Sequence, residues 1–304
     1  MYINQQGKMP INGTWQYLSV RAESKNAPLL LYLHGGPGDA ALPLVLQYNK
    51  ELETRFTVVV WEQRGAGKSY DAYDGGALTL NMFLEDLKVL VETLLACFKQ
   101  ESLYLVGHSW GSVLGLQFTH SHPELVRAYI GCGQVVNMKK SCRAAYEYAA
   151  AHANRGALKR LEKIDCSYTA DGWLKDLLFV TKQVVKHKGS LYGRSNYNDL
   201  IKPFLFSKHY TLFDLYRRQK GSLRSIQALW QELMQVDFEG VTQYQSPVLF
   251  VEGRYDSHVS SALAKEYFDT IETEKQFFWF EKSCHFPQWS ESDRFNKLLI
   301  GLLE

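Results

Sequence analysis

The residues that could do chemistry are few, and they fall in one order along the chain. The stretch LYLVGHSWGSVLG, 103–115, contains Gly107-His108-Ser109-Trp110-Gly111, a G-x-S-x-G. A serine hydroxyl is a weak nucleophile by itself. It needs a base to take its proton, and the base needs an acid to orient it. A buried strand precedes this motif and a helical pattern follows it, which is where a nucleophilic serine can be exposed on a sharp turn. The acid and the base are then expected downstream, in the order Ser, Asp or Glu, His. VLFVEGRYDSH, 248–258, supplies Asp256 just past a strand, and QFFWFEKSCHFPQW, 276–289, supplies His285 just past the last one. The position after the preceding core strand reads GCGQ and offers no acid. His258 is the rival base, but it lies two residues from Asp256, and one short loop is poorly built to present both groups as a pair. His34 and His108 flank Gly-rich turns and read as structural.

Acyl transfer also needs donors for a developing oxyanion. One is the backbone N–H of Trp110, the residue after the serine. The other is expected from the loop LHGGPGD, 33–39, whose glycines permit close backbone approach; the candidate is the N–H of Gly36. A second glycine-rich stretch, WEQRGAGKSY at 61–70, ends in GKS and so invites a phosphate-binding reading. That reading fails on spacing. G-x-x-x-x-G-K-[ST] requires a glycine where this chain has Glu62, and a carboxylate there repels phosphate. YDAYDGG after it starts no helix to add a favourable dipole, and Lys68 is expected to face solvent.

These groups need elements to hold them. Apolar runs of four to six residues recur at 28–36, 56–65, 102–109, 125–133, 246–254 and 275–283. They do not alternate, as expected of strands buried on both faces. Helical spacing appears in 81–98, where Phe83, Leu87, Leu90 and Leu94 form a stripe, and in 111–121, 259–270 and 291–303. Strands alternating with helices predict an α/β fold, a mostly parallel sheet covered on both sides. TWQYLSVRAE, 14–23, reads as an antiparallel edge strand. The alternation stops between 134 and 240, a stretch rich in helix formers and aromatics. It is expected to be a helical cap over the C-terminal ends of the strands, with 1–133 and 241–304 as the core.

Charge divides along the same line. The chain of 304 residues is nearly neutral, at a formal +2. The 134–240 segment alone holds 18 Lys or Arg against 10 Asp or Glu. Solvated helix faces account for this, or a basic mouth favouring acidic substrates does. The overall balance gives no reason to expect nucleic acid or an anionic membrane as partner. No run approaches the length of a transmembrane helix, and the N-terminus has no secretory pattern. Five cysteines without a C-x-x-C pair read as reduced thiols of a cytoplasmic protein, with no metal site among them.

Taken together, HGGPG (34–38), WEQRGAGKS (61–69), GHSWGS (107–112), GRYD (253–256) and CHFP (284–287) resemble the proline iminopeptidase branch of the α/β-hydrolase superfamily. The likeness covers 28–133 and 246–300. It implies an α/β-hydrolase fold whose cap is inserted before the last two strands, with Ser109 as nucleophile, Asp256 as acid, His285 as base, and Gly36 and Trp110 as oxyanion donors. It implies an acyl-enzyme reaction that needs no metal or organic cofactor, and a small-molecule or short-peptide substrate losing its N-terminal residue. Family peptidases hold the free amine with acidic residues, in part from the cap; Glu232, Asp237 and Glu239 are the candidates here. Ser257 stands where one group of the family has Glu. A carboxylesterase or other small-molecule acyl hydrolase uses the same triad. Epoxide hydrolases and dehalogenases of this fold use Asp where this chain has Ser109.

Overall fold

A computed structural model describes residues 2–304. Its centre is an eight-stranded sheet: β1 (Ile3–Ile11), β2 (Thr14–Ala22), β3 (Leu29–Leu33), β4 (Thr57–Glu62), β5 (Leu103–His108), β6 (Val126–Cys132), β7 (Val248–Gly253) and β8 (Lys275–Phe280), in the order β1-β2-β4-β3-β5-β6-β7-β8. From β4 to β8 every pairing is parallel, whereas β1 and β2 are antiparallel.

The central strands are buried on both faces because apolar residues fill most of their positions, and in β3 all of them. In β3, Leu29, Leu31 and Leu33 enter one core, while Leu30 and Tyr32 enter the other. The first core is closed by the stripe of a helix, Leu80–Phe98, in which Phe83, Leu87 and Leu90 are fully buried. Burying each such side chain is worth roughly 1.5–3 kcal/mol. Thr79 caps this helix by accepting from the Met82 amide.

Two edges differ from expectation. TWQYLSV is antiparallel but not outermost, because β1 pairs with it over nine residues. INQQGKMPI is a polar, largely exposed strand, so it has no apolar run to announce it. At the other edge, KQFFWF is only half-buried, since β8 has a neighbour on one side.

In chain order the helices are α1 (Leu42–Tyr48), α2 (Leu80–Phe98), α3 (Trp110–Ser121), α4 (Met138–His152), α5 (Arg155–Leu161), α6 (Trp173–Lys186), α7 (Asn198–Leu205), α8 (Leu212–Leu233), α9 (Ser261–Thr270), α10 (Pro287–Ser290) and α11 (Ser292–Gly301). Helices α4 to α8 all stand between β6 and β7. Helix α8 approaches the core at two turns where no side chain fits. A Cβ on Gly38 would lie 2.5 Å from the Gly221 carbonyl oxygen, and one on Gly221 would collide with the carbonyl oxygen of Gly65.

The GKS stretch opens a short 3-10 helix, 67–72, which takes in the first residues of YDAYDGG, where no helix was expected to start. The Lys68 amide donates to the Glu62 carboxylate at 2.6 Å, so the backbone donor that a phosphate loop would offer is already occupied. Lys68 does not face solvent. Its ammonium pairs with Asp214 of α8 at 3.1 Å and lies over the rings of Tyr17 and Tyr210. The rest of the turn is fixed from below: Arg64 makes a two-point bond to buried Asp86, and Gln63 accepts from the Trp110 indole at 2.8 Å.

Candidate active site

Ser109 sits at the junction of β5 and α3 with φ 54° and ψ −117°. A non-glycine residue in that region is held there by its surroundings at a cost of roughly 1–3 kcal/mol. The holding contacts are visible. The Ser109 amide donates to Cys132 O at 3.1 Å, and its carbonyl accepts from the Ser112 amide at 2.8 Å. The flanking glycines are required by close approach: a Cβ at Gly107 would lie 2.6 Å from Gly111 O, and one at Gly111 would collide with Leu33 O. The turn therefore lifts Ser109 clear of the sheet, at the positive end of α3.

His285 follows β8, and its Nδ1 is 2.8 Å from Asp256 Oδ2. Both side chains are almost fully buried. The other carboxylate oxygen of Asp256 accepts from the amides of His258, at 2.8 Å, and Val259, at 3.2 Å. Burial alone would push this carboxyl up. The His285 charge and hydrogen bond, with His258 and the Val259 amide, outweigh it and hold Asp256 below the usual carboxylate range. The His285 ring is confined on its far side by Gly133, where a Cβ would lie 2.9 Å from Nδ1. Gly133 thus has no room for the side chain of an alternative acid.

His258 is close but differently engaged. Its ring stacks on His285 with centroids 4.5 Å apart, and its Nδ1 faces Ser190 Oγ at 3.3 Å. Burial, then the His285 charge, pushes its pKa down to about 3. Asp256 meets His258 only through the backbone amide. His108 Nε2 donates to His285 O, 2.9 Å away, and His34 Nε2 accepts from the Gln63 amide at 3.1 Å; both are buried.

Ser109, Gly36 and Trp110 line one cavity of about 110 Å³ with Val113, Val180 and Leu233. A second, of about 370 Å³, adjoins it and is shared by Ser109, Gly36, His258 and His285. Gly36 has φ +125°, and a Cβ there would lie 2.7 Å from the Asp39 amide. The Trp110 side chain is turned away into the core, edge-on to Phe83. The sheet thus places Ser109 and Gly36 on both cavities, Trp110 on the smaller and His285 on the larger, with Asp256 bonded to His285.

The three cap carboxylates proposed from sequence lie elsewhere. Glu232 accepts from the Leu80 amide at 2.6 Å, Asp237 from the Glu239 amide at 3.0 Å, and Glu239 pairs with Lys140 at 2.6 Å. None of them lines either cavity. The carboxylate that does is Asp39, at the end of HGGPGD, in a two-point ion pair with Arg218 of α8. Sequence reasoning passed over Asp39 although it closes the 33–39 loop. Arg218 is also the single Lys or Arg on the walls of these two cavities, so most of the cap's positive charge lies outside them.

Comparison with known proteins bears on family and fold. A family model for the alpha/beta hydrolase fold matches residues 28–161. The chain is 31% identical to a probable aminopeptidase, YbaC, of Bacillus subtilis, over 96% of this chain and 94% of that protein. It is 23% identical to a proline iminopeptidase of Heyndrickxia coagulans, over 88% and 87% of the two chains. The crystal structure of a proline iminopeptidase-related protein from Thermus thermophilus superposes with a TM-score of 0.69 at 19% identity, covering 99% of this chain and 97% of the other. On sequence, fold and full-length likeness, the chain belongs to the α/β-hydrolase family, in the branch that includes the proline iminopeptidases.

Proposed function

We propose that this hydrolase works through a Ser109–His285–Asp256 triad and an acyl-enzyme. Ser109 Oγ attacks the substrate carbonyl carbon while His285 takes its proton. The new oxyanion accepts from the amides of Gly36 and Trp110. His285 then gives the proton to the leaving nitrogen, the C–N bond breaks, and the acyl group stays on Ser109. Water, deprotonated by His285, attacks the ester and frees the acid and the serine. Asp256 fixes the imidazole with Nδ1–H inward and stabilises its charged form. The segment 134–240 acts as a cap that closes the acyl site.

The observation that carries this reading is the buried His285–Asp256 bond behind a cavity that Ser109 shares with His285. The substrate we infer is a short peptide or amide with a small apolar N-terminal residue. The 110 Å³ cavity supports the size and polarity, and the aminopeptidase names of the relatives support the bond. A second reading, an ester or other small acyl hydrolase, is favoured by one feature: no Asp or Glu lines that smaller cavity to hold an amine.

Labelling with a fluorophosphonate, compared in the wild type and Ser109→Ala, tests the nucleophile; an unlabelled wild type defeats the proposal. Rates on a prolyl arylamide and on a short acyl ester then separate the readings. Turnover of the ester alone would replace the peptidase with the esterase.

A further inference from the structure

The cap carries a feature that the reaction does not use. Around the end of α7 and the start of α8, Phe206 is 82% exposed and Leu212 is 77% exposed. Leu205, Phe213 and Tyr216 are each more than half exposed as well. Leu212, Phe213 and Tyr216 fall at helical neighbour spacing on one side of α8, and the Phe213 and Tyr216 rings stack at 6.3 Å. Single exposed apolar residues need no explanation, but a cluster of this kind does.

Cations surround it. The Lys220 ammonium lies over Tyr216 at 5.7 Å, and the Arg217 guanidinium over Phe213 at 4.4 Å while pairing with Asp71 at 2.9 Å. Lys208 is exposed beside Phe206, and Lys202, exposed beside Leu205, pairs with Asp199 at 3.2 Å. On α6, exposed Leu178 is flanked at helical spacing by exposed Lys175 and Lys182. Exposed lysines with no acidic partner among the described residues, Lys175, Lys182, Lys208 and Lys220, thus stand next to these apolar side chains.

The cluster runs into the site. Leu178 and Ile201, both exposed, also line the larger cavity that Ser109 and His285 share. Ile201 is one helical turn from Leu205 on α7. The larger cavity is therefore lined in part by exposed apolar side chains of α6 and α7.

We propose that this face of the cap docks on an anionic lipid surface, with Phe206 and Leu212 inserted among the acyl chains and the lysines at the headgroups. A peripheral contact of this kind needs no spanning helix, and the near-neutral total charge of the chain conceals it. Projecting side chains inside a ring of cations suit a fluid, negatively charged surface. A two-fold contact between copies would press the same cations against each other. The proposal does not depend on what Ser109 does.

The test is flotation of the full chain with vesicles of phosphatidylcholine containing about a third phosphatidylglycerol. The wild type is expected to float with these vesicles, and to be released by high salt and by removing the anionic lipid. Phe206→Ser with Leu212→Ser should lower the bound fraction at least about tenfold. Lys208→Glu with Lys220→Glu should lower it about fivefold or more for each charge changed. Unchanged thermal unfolding midpoints would show that the variants are folded, and the two pairs are independent of each other. Failure of the wild type to float, or equal binding to neutral vesicles, overturns the proposal. So does a wild-type dimer in sedimentation that Phe206→Ser and Leu212→Ser dissociate, which would assign the face to a second copy of the chain.

Discussion

The carboxylate of Asp39 and the guanidinium of Arg218 meet on the wall of the cavity that Ser109 and His285 share. Asp39 belongs to the loop after β3 and Arg218 to α8 of the inserted helices, so the pair joins these two parts of the molecule on a wall that Ser109 also lines. If the substrate enters with a free ammonium, Asp39 is the one carboxylate on these walls able to receive it, and Arg218 is its competitor. Asp39→Asn should then raise KM for a prolyl arylamide about tenfold, the scale of one charge-assisted hydrogen bond. It should leave kcat/KM for a neutral acyl ester within a few-fold. Arg218→Ala should lower KM for the arylamide. Equal losses on both substrates would reduce the pair to a structural contact.

The two neighbouring histidines predict opposite outcomes. His285→Ala should remove turnover by about four orders of magnitude or more, since members of a triad act as a unit. His258→Ala should retain most of it, because that ring meets the triad by stacking alone. Initial rates on one substrate decide it, and the reverse order of severity would reassign the base.

Much of this site was legible in the sequence because its constraints are local. Ser109, Gly107 and Gly111 are fixed by one turn, and a turn is written in consecutive residues. The parallel strands were legible because burial on both faces leaves an unbroken apolar run. What escaped depends on partners far along the chain. Strand β1 is polar because it lies at an edge, so no pattern marked it. Lys68 looked like a solvent residue until Asp214, 146 positions later, was seen to face it. Glu232 was a plausible amine ligand until the Leu80 amide was found bonded to it. Nothing in the cap's own sequence distinguishes those acids from Asp39, whose role is set by where α8 comes to rest.

Glu62 predicts a pH effect on stability. Its carboxyl is fully buried between Tyr210, which donates to it, and the Lys68 amide. Burial pushes its pKa up to about 7, against the lowering effect of those hydrogen bonds and of the Lys68 charge. The folded value is therefore above the unfolded one. The native state binds more protons than the unfolded chain between about pH 4.5 and 7, so this group's contribution falls as pH rises through that window and stays lost above it. The full span is on the order of 3 kcal/mol. Chemical denaturation from pH 5 to 8 should show the wild type losing stability relative to Glu62→Gln as pH rises. Parallel curves for the two proteins would mean that Glu62 is ionised throughout.

The seat of the cap predicts the last effect. Gly221 lies where α8 passes over the carbonyl oxygens of Gly65 and Gly38, and these are backbone atoms that cannot rotate aside. Gly221→Ala adds a methyl group into contact with them. In an exposed helix the same change would stabilise, because alanine is the better helix former by about 1 kcal/mol. Here the collision outweighs propensity. Overpacking of this kind costs about 1–3 kcal/mol, and at this chain length each kcal/mol lowers Tm by roughly 2–4 °C. The displacement should also reach the site, since Arg218 is one helical turn away on α8 and reads Asp39 through it. The expected signature is a lower Tm together with a changed KM and a nearly unchanged rate of fluorophosphonate labelling at Ser109. A rise in Tm would show that α8 does not approach the core turns this closely, and with it the joining of α8 and the 33–39 loop through Asp39 and Arg218 would fall.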